Sequence, residues 1–307
     1  MASTNNSPFT EPMLKERVST MLRERVCTTI SPDVFYLMKK ALAEETTDSA
    51  REMLKTQIDN VAMAEAQKKP VCQSPGFPTA YVRYGGCTDI SLMIKALQDE
   101  IISATNDGFL RPSMVHPLTR KNTGNNSGIG VPNIELEYDP TIDYIEVIIS
   151  FKGCGAELGN AMKILTPAMI GENYSGVKEF VVDTVIKAGG KPCPPFAIGI
   201  GIGGQMDICA KLSRRAVSVR KWTDTNPDPM LAEMEDELMT MINQLGTGPG
   251  GIGGKTTALA VKIGMSHTHT AICPVAVNFY CWVARRNGLR IHPDGSTEYL
   301  FNEEASL

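Results

Sequence analysis

The sequence predicts an α/β protein in which an N-terminal helical layer precedes a mixed β-sheet with flanking helices. Three observations carry that prediction. Apolar residues recur three and four apart through residues 11–69, strand-like and helix-like stretches alternate from residue 70 onward, and glycine-rich turns stand where one pattern gives way to the other. The expected division is a helical segment at 1–69 and a region at 70–307 that forms one continuous α/β domain.

The opening segment reads as three helices: LKERVSTMLRERV, SPDVFYLMKKALAEE and SAREMLKTQIDNVAMAEAQK. Ser31 before Pro32 is an N-cap followed by proline at the first helical position, which fixes the start of the second. No chemistry is apparent in this layer. At Pro70 proline and glycine punctuate PVCQSPGFP before the short strand TAYVRYG, and helical spacing returns in DISLMIKALQDEIISATNDG. A loop rich in Asn, Gly, Thr and Pro follows, FLRPSMVHPLTRKNTGNNSGIGVPN. A loop that long in a compact domain is usually functional.

IELEYDPTIDYIEVIISF alternates as two strands around Asp139-Pro140. KGCGAELGNAMKILTPA is a glycine turn leading into a helix or strand, and VKEFVVDTVIKAGG is a helix closed by a glycine cap. PPFAIGIGIG reads as a buried strand, with QMDICAKLSRRAVS as the helix after it. PDPMLAEMEDELMTMINQL is a helix whose methionines are expected in the core. A glycine loop, a strand, a histidine-containing turn and a strand ending at Cys281 complete the pattern, before a short polar tail.

Composition excludes several classes. The chain has 307 residues, 42% of them hydrophobic and 21% charged, with a net charge of −4. It offers no basic surface for a nucleic-acid backbone. The polar N-terminus lacks a signal-peptide core, and no apolar run approaches the roughly 20 residues needed to span a bilayer. A cytoplasmic protein with no membrane or nucleic-acid partner is expected. Eight cysteines without an export signal argue against a disulfide framework, and none forms CxxC. Cys27, Cys87 and Cys209 are read as small buried hydrophobes.

Two nucleotide motifs are weighed and set aside. A phosphate loop ending at Lys255-Thr256 requires glycine at 249, and Pro249 stands there without the N–H that a phosphate needs. Gly199, Gly201 and Gly204 fit GxGxxG between strand and helix, as in a dinucleotide-binding dehydrogenase. The acidic ribose partner is missing, since Asp224 lies in a polar loop, so close helix-to-sheet packing or an anionic substrate at the helix start is the better reading. Cys72, Cys193 and Cys281 instead mark boundaries between regular elements and loops, where thiolates can converge. Three thiolates without a local fourth ligand suit an iron–sulfur cluster with one open iron. Spacing by itself leaves packed thiols as the alternative.

The ordered motifs CQSPG at 72–76, LRPS around Arg111, KNTGNNSGIGVP at 121–132, KGCG at 152–155, PCPP at 192–195 and His269 twelve residues before Cys281 resemble one family. It is that of the class I iron–sulfur fumarases and L-tartrate dehydratases, in their α subunit or N-terminal catalytic domain. The resemblance runs most clearly from residue 71 to 292. It implies an iron–sulfur hydro-lyase acting on a C4 dicarboxylate of the fumarate/malate kind, or on tartrate or a related hydroxy-diacid. It further implies a [4Fe–4S] cluster on Cys72, Cys193 and Cys281 with one non-cysteine-ligated iron. Gln73, Arg111 and the backbone of Gly155 are implied to contact substrate carboxylates, with His269 facing the reacting centre. Cys273 is not a ligand in this pattern, and His116, His267 and His292 are expected to be packed or surface residues.

The resemblance also implies a separate β subunit, self-association of α in an α₂β₂-like assembly, and no activity for α alone. Two departures stand out. Ser74 replaces the family's Asp, and Cys154 replaces the middle glycine of KGGG. A serine at 74 can hydrogen-bond substrate but is no base unassisted, so a different substrate or a non-catalytic cluster-binding homologue is the alternative.

Overall fold

In the computed structural model the described residues are 7–86 and 88–301. The expectation that Cys87 packs as a small hydrophobe lies outside them. The helices are α1 (Glu11–Met21), α2 (Pro32–Glu44), α3 (Asp48–Gln67), α4 (Ile90–Asn106), α5 (Cys154–Glu157), α6 (Pro167–Ile170), α7 (Ser175–Ala188), α8 (Met206–Val219) and α9 (Pro229–Gln244). The strands are β1 (Phe77–Tyr84), β2 (Asn133–Tyr138), β3 (Ile145–Lys152), β4 (Ala161–Leu165), β5 (Phe196–Gly203), β6 (Ala258–Ser266), β7 (Cys273–Tyr280), β8 (Arg285–Ile291) and β9 (Thr297–Tyr299). Helices and two mixed sheets make an α/β fold, as the alternating pattern predicts. Among the described residues no helix is long and apolar enough to cross a membrane.

Two compact units share the chain. The first takes the described residues of Met1–Pro32, Asn60–Lys152 and Ala284–Ser306; the second takes those of Asp33–Asp59 and Gly153–Val283.

The first unit is built on a five-stranded sheet in the order β2-β1-β3-β8-β9. β1 and β2 run parallel, and the other pairs are antiparallel. The two strands read around Asp139-Pro140 are present, but β1 lies between them, so they do not form a hairpin. The period of two in β3 turns Ile145, Val147, Ile149 and Phe151 to one face, where Leu14, Val18, Met93, Leu97 and Ile101 from α1 and α4 cover them. After Met21 the first helix loosens into a π-helical stretch, Leu22–Cys27, that still buries Leu22 and Val26. The sequence reading takes residues 22–26 as a continuation of the first helix without this loosening, and it carries neither β8 nor β9. β8 was hidden because Arg285, Arg286 and Asn287 are polar, yet all three are buried.

The second unit has a four-stranded sheet in the order β4-β7-β5-β6. β5 and β6 are parallel, and β7 is antiparallel to both β5 and β4. The run FAIGIGIG explains how β5 is covered on both sides. Phe196, Ile198 and Ile200 join Val181 and Val185 of α7 and Leu231, Leu238 and Ile242 of α9 in one core. The alternate residues face α8. A Cβ on Gly199 would stand 1.9 Å from the Ser213 carbonyl oxygen, and one on Gly201 would stand 2.1 Å from that of Cys209. These glycines therefore serve close helix-to-sheet packing. Asp224 is engaged by Arg220, whose Nη2 and Nε lie 2.6 and 3.2 Å from its oxygens, and by Lys262 at 2.9 Å. In α9, Met234 packs in the core, whereas Met230 and Met241 are exposed.

The near-miss phosphate loop is also filled from within. Buried Glu45 accepts the N–H groups of Thr46 (3.0 Å), Thr47 (3.2 Å) and Lys255 (2.9 Å). Burial opposes its charge, but these N–H groups outweigh it and hold the carboxyl below its usual range. A backbone donor of the loop that a phosphate would need, Lys255 N–H, is thus directed at a carboxylate.

Candidate active site

In the second unit, α7 ends at Ala188 on Gly189, whose φ of +55° lets its N–H reach the Val185 carbonyl. The chain then tightens through Lys191 N–H to Ala188 O (3.2 Å) and Cys193 N–H to Gly190 O (3.1 Å). Cys193 itself takes a left-handed conformation, φ +57°, which is uncommon for a residue with a side chain. Its neighbour is clamped from two sides. The Pro194 carbonyl accepts from the buried Gln57 amide of α3 at 3.2 Å and from Gly250 N–H at 2.9 Å. Cys193 is exposed at the tip of this braced turn.

Cys281 follows directly on β7 and is 8% exposed, with its Sγ 3.6 Å from the Val283 carbonyl oxygen. The KGCG turn lies beside both cysteines. A Cβ on Gly153 would be 3.7 Å from Cys281 Sγ, and one on Gly155 would be 3.0 Å from the Lys191 carbonyl oxygen, which lies 4.0 Å from Cys193 Sγ. Lack of a side chain at 153 leaves room next to the sulfur. Gly155 and Cys154 are exposed in the single turn of α5.

His269 sits in the exposed connection between β6 and β7. With Gly204, Gln205, Ile208, His267, Thr268 and Ile272 it lines a cleft of about 460 Å³. Its Nδ1 accepts the Ala271 N–H at 3.2 Å. A neutral imidazole bonded in this way carries its proton on Nε2, so the outward nitrogen is a donor.

In the first unit, Cys72 is half-buried between the π-helical stretch and β1. Val71 N–H donates to Cys27 O at 3.0 Å, the Asn60 amide to Val71 O at 2.9 Å, and Arg285 Nη1 to Cys72 O at 3.5 Å. Gln73 is exposed and Ser74 half-buried, just before Gly76 at φ +84°. Arg111 is exposed in the long loop, which one side chain organises. Buried Asn126 donates to Thr105 Oγ1 and Arg111 O, each at 3.0 Å, and accepts from Ser113 N–H (2.8 Å) and Met114 N–H (3.3 Å).

The remaining candidates separate cleanly. Cys27 and Cys209 are buried, and burial pushes both thiols up to about 12. Cys273 opens β7 inside the second core, and burial raises its thiol too. His116 Nδ1 accepts from Leu118 and Thr119 N–H within its own turn, His292 meets Glu298 at 3.3 Å, and His267 is exposed. Among the described residues no group of three or more His, Cys, Asp or Glu side chains is gathered for a single metal ion. Sequence reasoning missed Gln57 and Asn126, and it noted Gly153 only as part of the KGCG motif. Gln57 and Asn126 act on residues distant in the chain, and no local pattern marks such a partner.

Comparison with known proteins finds the family that the sequence motifs resemble. The family model described as fumarate hydratase (Fumerase) matches residues 15–290. The chain is 39% identical over 266 residues to the putative L(+)-tartrate dehydratase subunit alpha of Methanocaldococcus jannaschii, covering 85% of this chain and 92% of that one. It is 31% identical over 283 residues to the L(+)-tartrate dehydratase subunit alpha of Escherichia coli, with 92% of each covered. It is 33% identical over 274 residues to the putative fumarate hydratase class I of Geobacillus stearothermophilus, covering 87% of this chain and 53% of that protein.

Proposed function

Because the chain belongs to the fumarate hydratase (Fumerase) family, whose class I members are iron–sulfur hydro-lyases, we propose that it is the α subunit of such an enzyme, holding a [4Fe–4S] cluster on Cys72, Cys193 and Cys281. Cys72 rests on the family motif, and the observation that supports Cys193 and Cys281 as ligands is the arrangement in the second unit. There the turn of Cys193 is braced by Gln57 and Gly250, and Cys281 faces the space that Gly153 leaves open. Cys27 and Cys209, by contrast, are closed off in apolar cores. Thiols on separate loops suit a multi-iron cluster, in which each thiolate anchors a different iron, and such a set is not gathered as ligands of one ion would be.

When bound, the cluster supplies an iron without a protein thiolate, a Lewis acid toward the substrate hydroxyl. The chain's own residues bind and orient. Arg111 offers a guanidinium fork to one substrate carboxylate, with Gln73 and the Gly155 N–H as further donors. His269, with its proton on Nε2, donates a hydrogen bond to the departing hydroxyl and stabilises the charge that gathers on it as the carbon–oxygen bond breaks. Ser74 is a neutral hydrogen-bond donor to substrate, so the donor to the departing hydroxyl on this chain is His269. The base that takes the proton from the neighbouring carbon belongs to a β subunit. Naming of the M. jannaschii and E. coli relatives as subunit alpha supports such a partner.

The main reading is reversible hydration of a fumarate-like C4 dicarboxylate. A specific observation favours tartrate as the second: 92% of each of the two tartrate dehydratase α subunits is covered by this chain. Tartrate carries an additional hydroxyl, for which Ser74 is a better neutral partner than a carboxylate. Turnover of fumarate, malate, L-tartrate and methylmalate by the cluster-loaded α–β pair tests the proposal. Turnover of one of these acids is expected with the pair and none with α alone. A fully loaded pair inert toward all four contradicts it and leaves a non-catalytic cluster-binding homologue.

A further inference from the structure

β5 lies between β6 and β7, parallel to the first and antiparallel to the second. Residues 267–272, which join β6 to β7, must therefore cross the carboxyl end of β5, where Gly203 and Gly204 leave the sheet. The crossing is close. A Cβ on Gly203 would lie 2.0 Å from the Ser266 carbonyl oxygen. Gly204 N–H donates to His267 O at 3.2 Å, and Thr268 Oγ1 donates back to Gly204 O at 2.8 Å. Both glycines have positive φ, +86° and +66°, so the strand end turns under the crossing loop as few other residues would. Residues 267–271 are exposed, so apolar burial does not fix this loop and hydrogen bonds must. His269 begins one residue after the two-bond clasp.

We infer that Thr268 is a positioning residue for the reaction, its hydroxyl clasping the His269 loop to the Gly203-Gly204 turn so that the imidazole is held at a fixed place over the end of β5. This rests on the reading of His269 as the hydrogen-bond donor to the departing hydroxyl. It also assigns the glycine motif at the strand end a purpose beyond helix packing: the turn is the platform on which the histidine loop is seated. Such a donor tolerates only a small misplacement before the rate falls. A clasp that acts through His269 should accordingly alter kcat and leave substrate affinity nearly alone.

The test compares Thr268→Val and Thr268→Ser in the cluster-loaded α–β pair, alone and combined with His269→Asn. Thr268→Val is expected to lower kcat about tenfold with KM within about twofold, and Thr268→Ser to restore kcat to within about twofold. In the His269→Asn background, Thr268→Val should cost nothing more. Histidine-selective ¹⁵N NMR of the α chain gives a readout apart from activity. The Nδ1 signal that disappears in His269→Asn is expected to shift in Thr268→Val and return in Thr268→Ser. Wild-type kcat and an unmoved His269 signal in Thr268→Val would overturn the inference, as would an equal further loss in the His269→Asn background. Wild-type kcat in His269→Asn would sink the assignment of His269 itself, and the NMR comparison would then decide the clasp.

Discussion

At the scale of single residues, burial sorts the thiols. Cys27 and Cys209 are packed, and desolvation lifts both to about 12, so the reactive thiolate is scarce at pH 8. Cys154 and Cys193 are exposed. Brief iodoacetamide treatment of the cluster-free chain at pH 8, followed by peptide mass mapping, should therefore label Cys154 and Cys193 first. Cys27 and Cys209 should remain unlabelled until denaturant is added. Their labelling in the native protein at the rate of Cys193 would contradict the packing described. This division was legible in part: Cys27 and Cys209 were read as small buried hydrophobes, and Cys193 stands between prolines. Gln57, Asn126 and Thr268 were not legible, because what each of them holds is a backbone group that only folding brings near.

At the scale of elements, β5 shows what periodicity can and cannot reveal. Its glycines matched a dinucleotide fingerprint, yet the period of two assigns isoleucines to one helical layer and glycines to the other. Replacing Gly201 by Val would drive a side chain into the Cys209 carbonyl and Ser213 N–H of α8, 2.1 and 2.8 Å from the first added carbon. Overpacking of this kind costs about 1–3 kcal/mol or more, a fall of at least several degrees in Tm. Gly264→Ala is the control, since its Cβ would meet Leu212 at 3.4 Å, an ordinary contact, and should leave Tm within about 2 °C. Equal Tm values for Gly201→Val and wild type in calorimetry would contradict close packing of α8 on β5. β8 was hidden by the opposite effect. Its arginines look like surface residues in sequence, and their burial follows from pairing with β3.

At the scale of the whole molecule, the α/β class was legible because helix and strand periods alternate along the chain. Which strands share a sheet was not, since β3 pairs with β8 from Ile145↔Ile291 to Phe151↔Arg285 across more than a hundred intervening residues. Pairing at that distance leaves no trace in local periodicity. The unit boundaries follow from such pairings, so the first unit gathers three separate stretches of chain. The family was legible without that pairing, because the motifs that carry the resemblance keep their order and spacing along the chain.

The most direct test of the central claim is iron and sulfide content after anaerobic reconstitution of the chain, read with its visible absorbance. About four iron and four sulfide per chain and a brown protein are predicted. Cys72→Ser, Cys193→Ser and Cys281→Ser should each lose most of that absorbance, while Cys154→Ser and Cys273→Ser keep it. A colourless wild-type chain, or a cluster that survives all three ligand substitutions, would contradict the account.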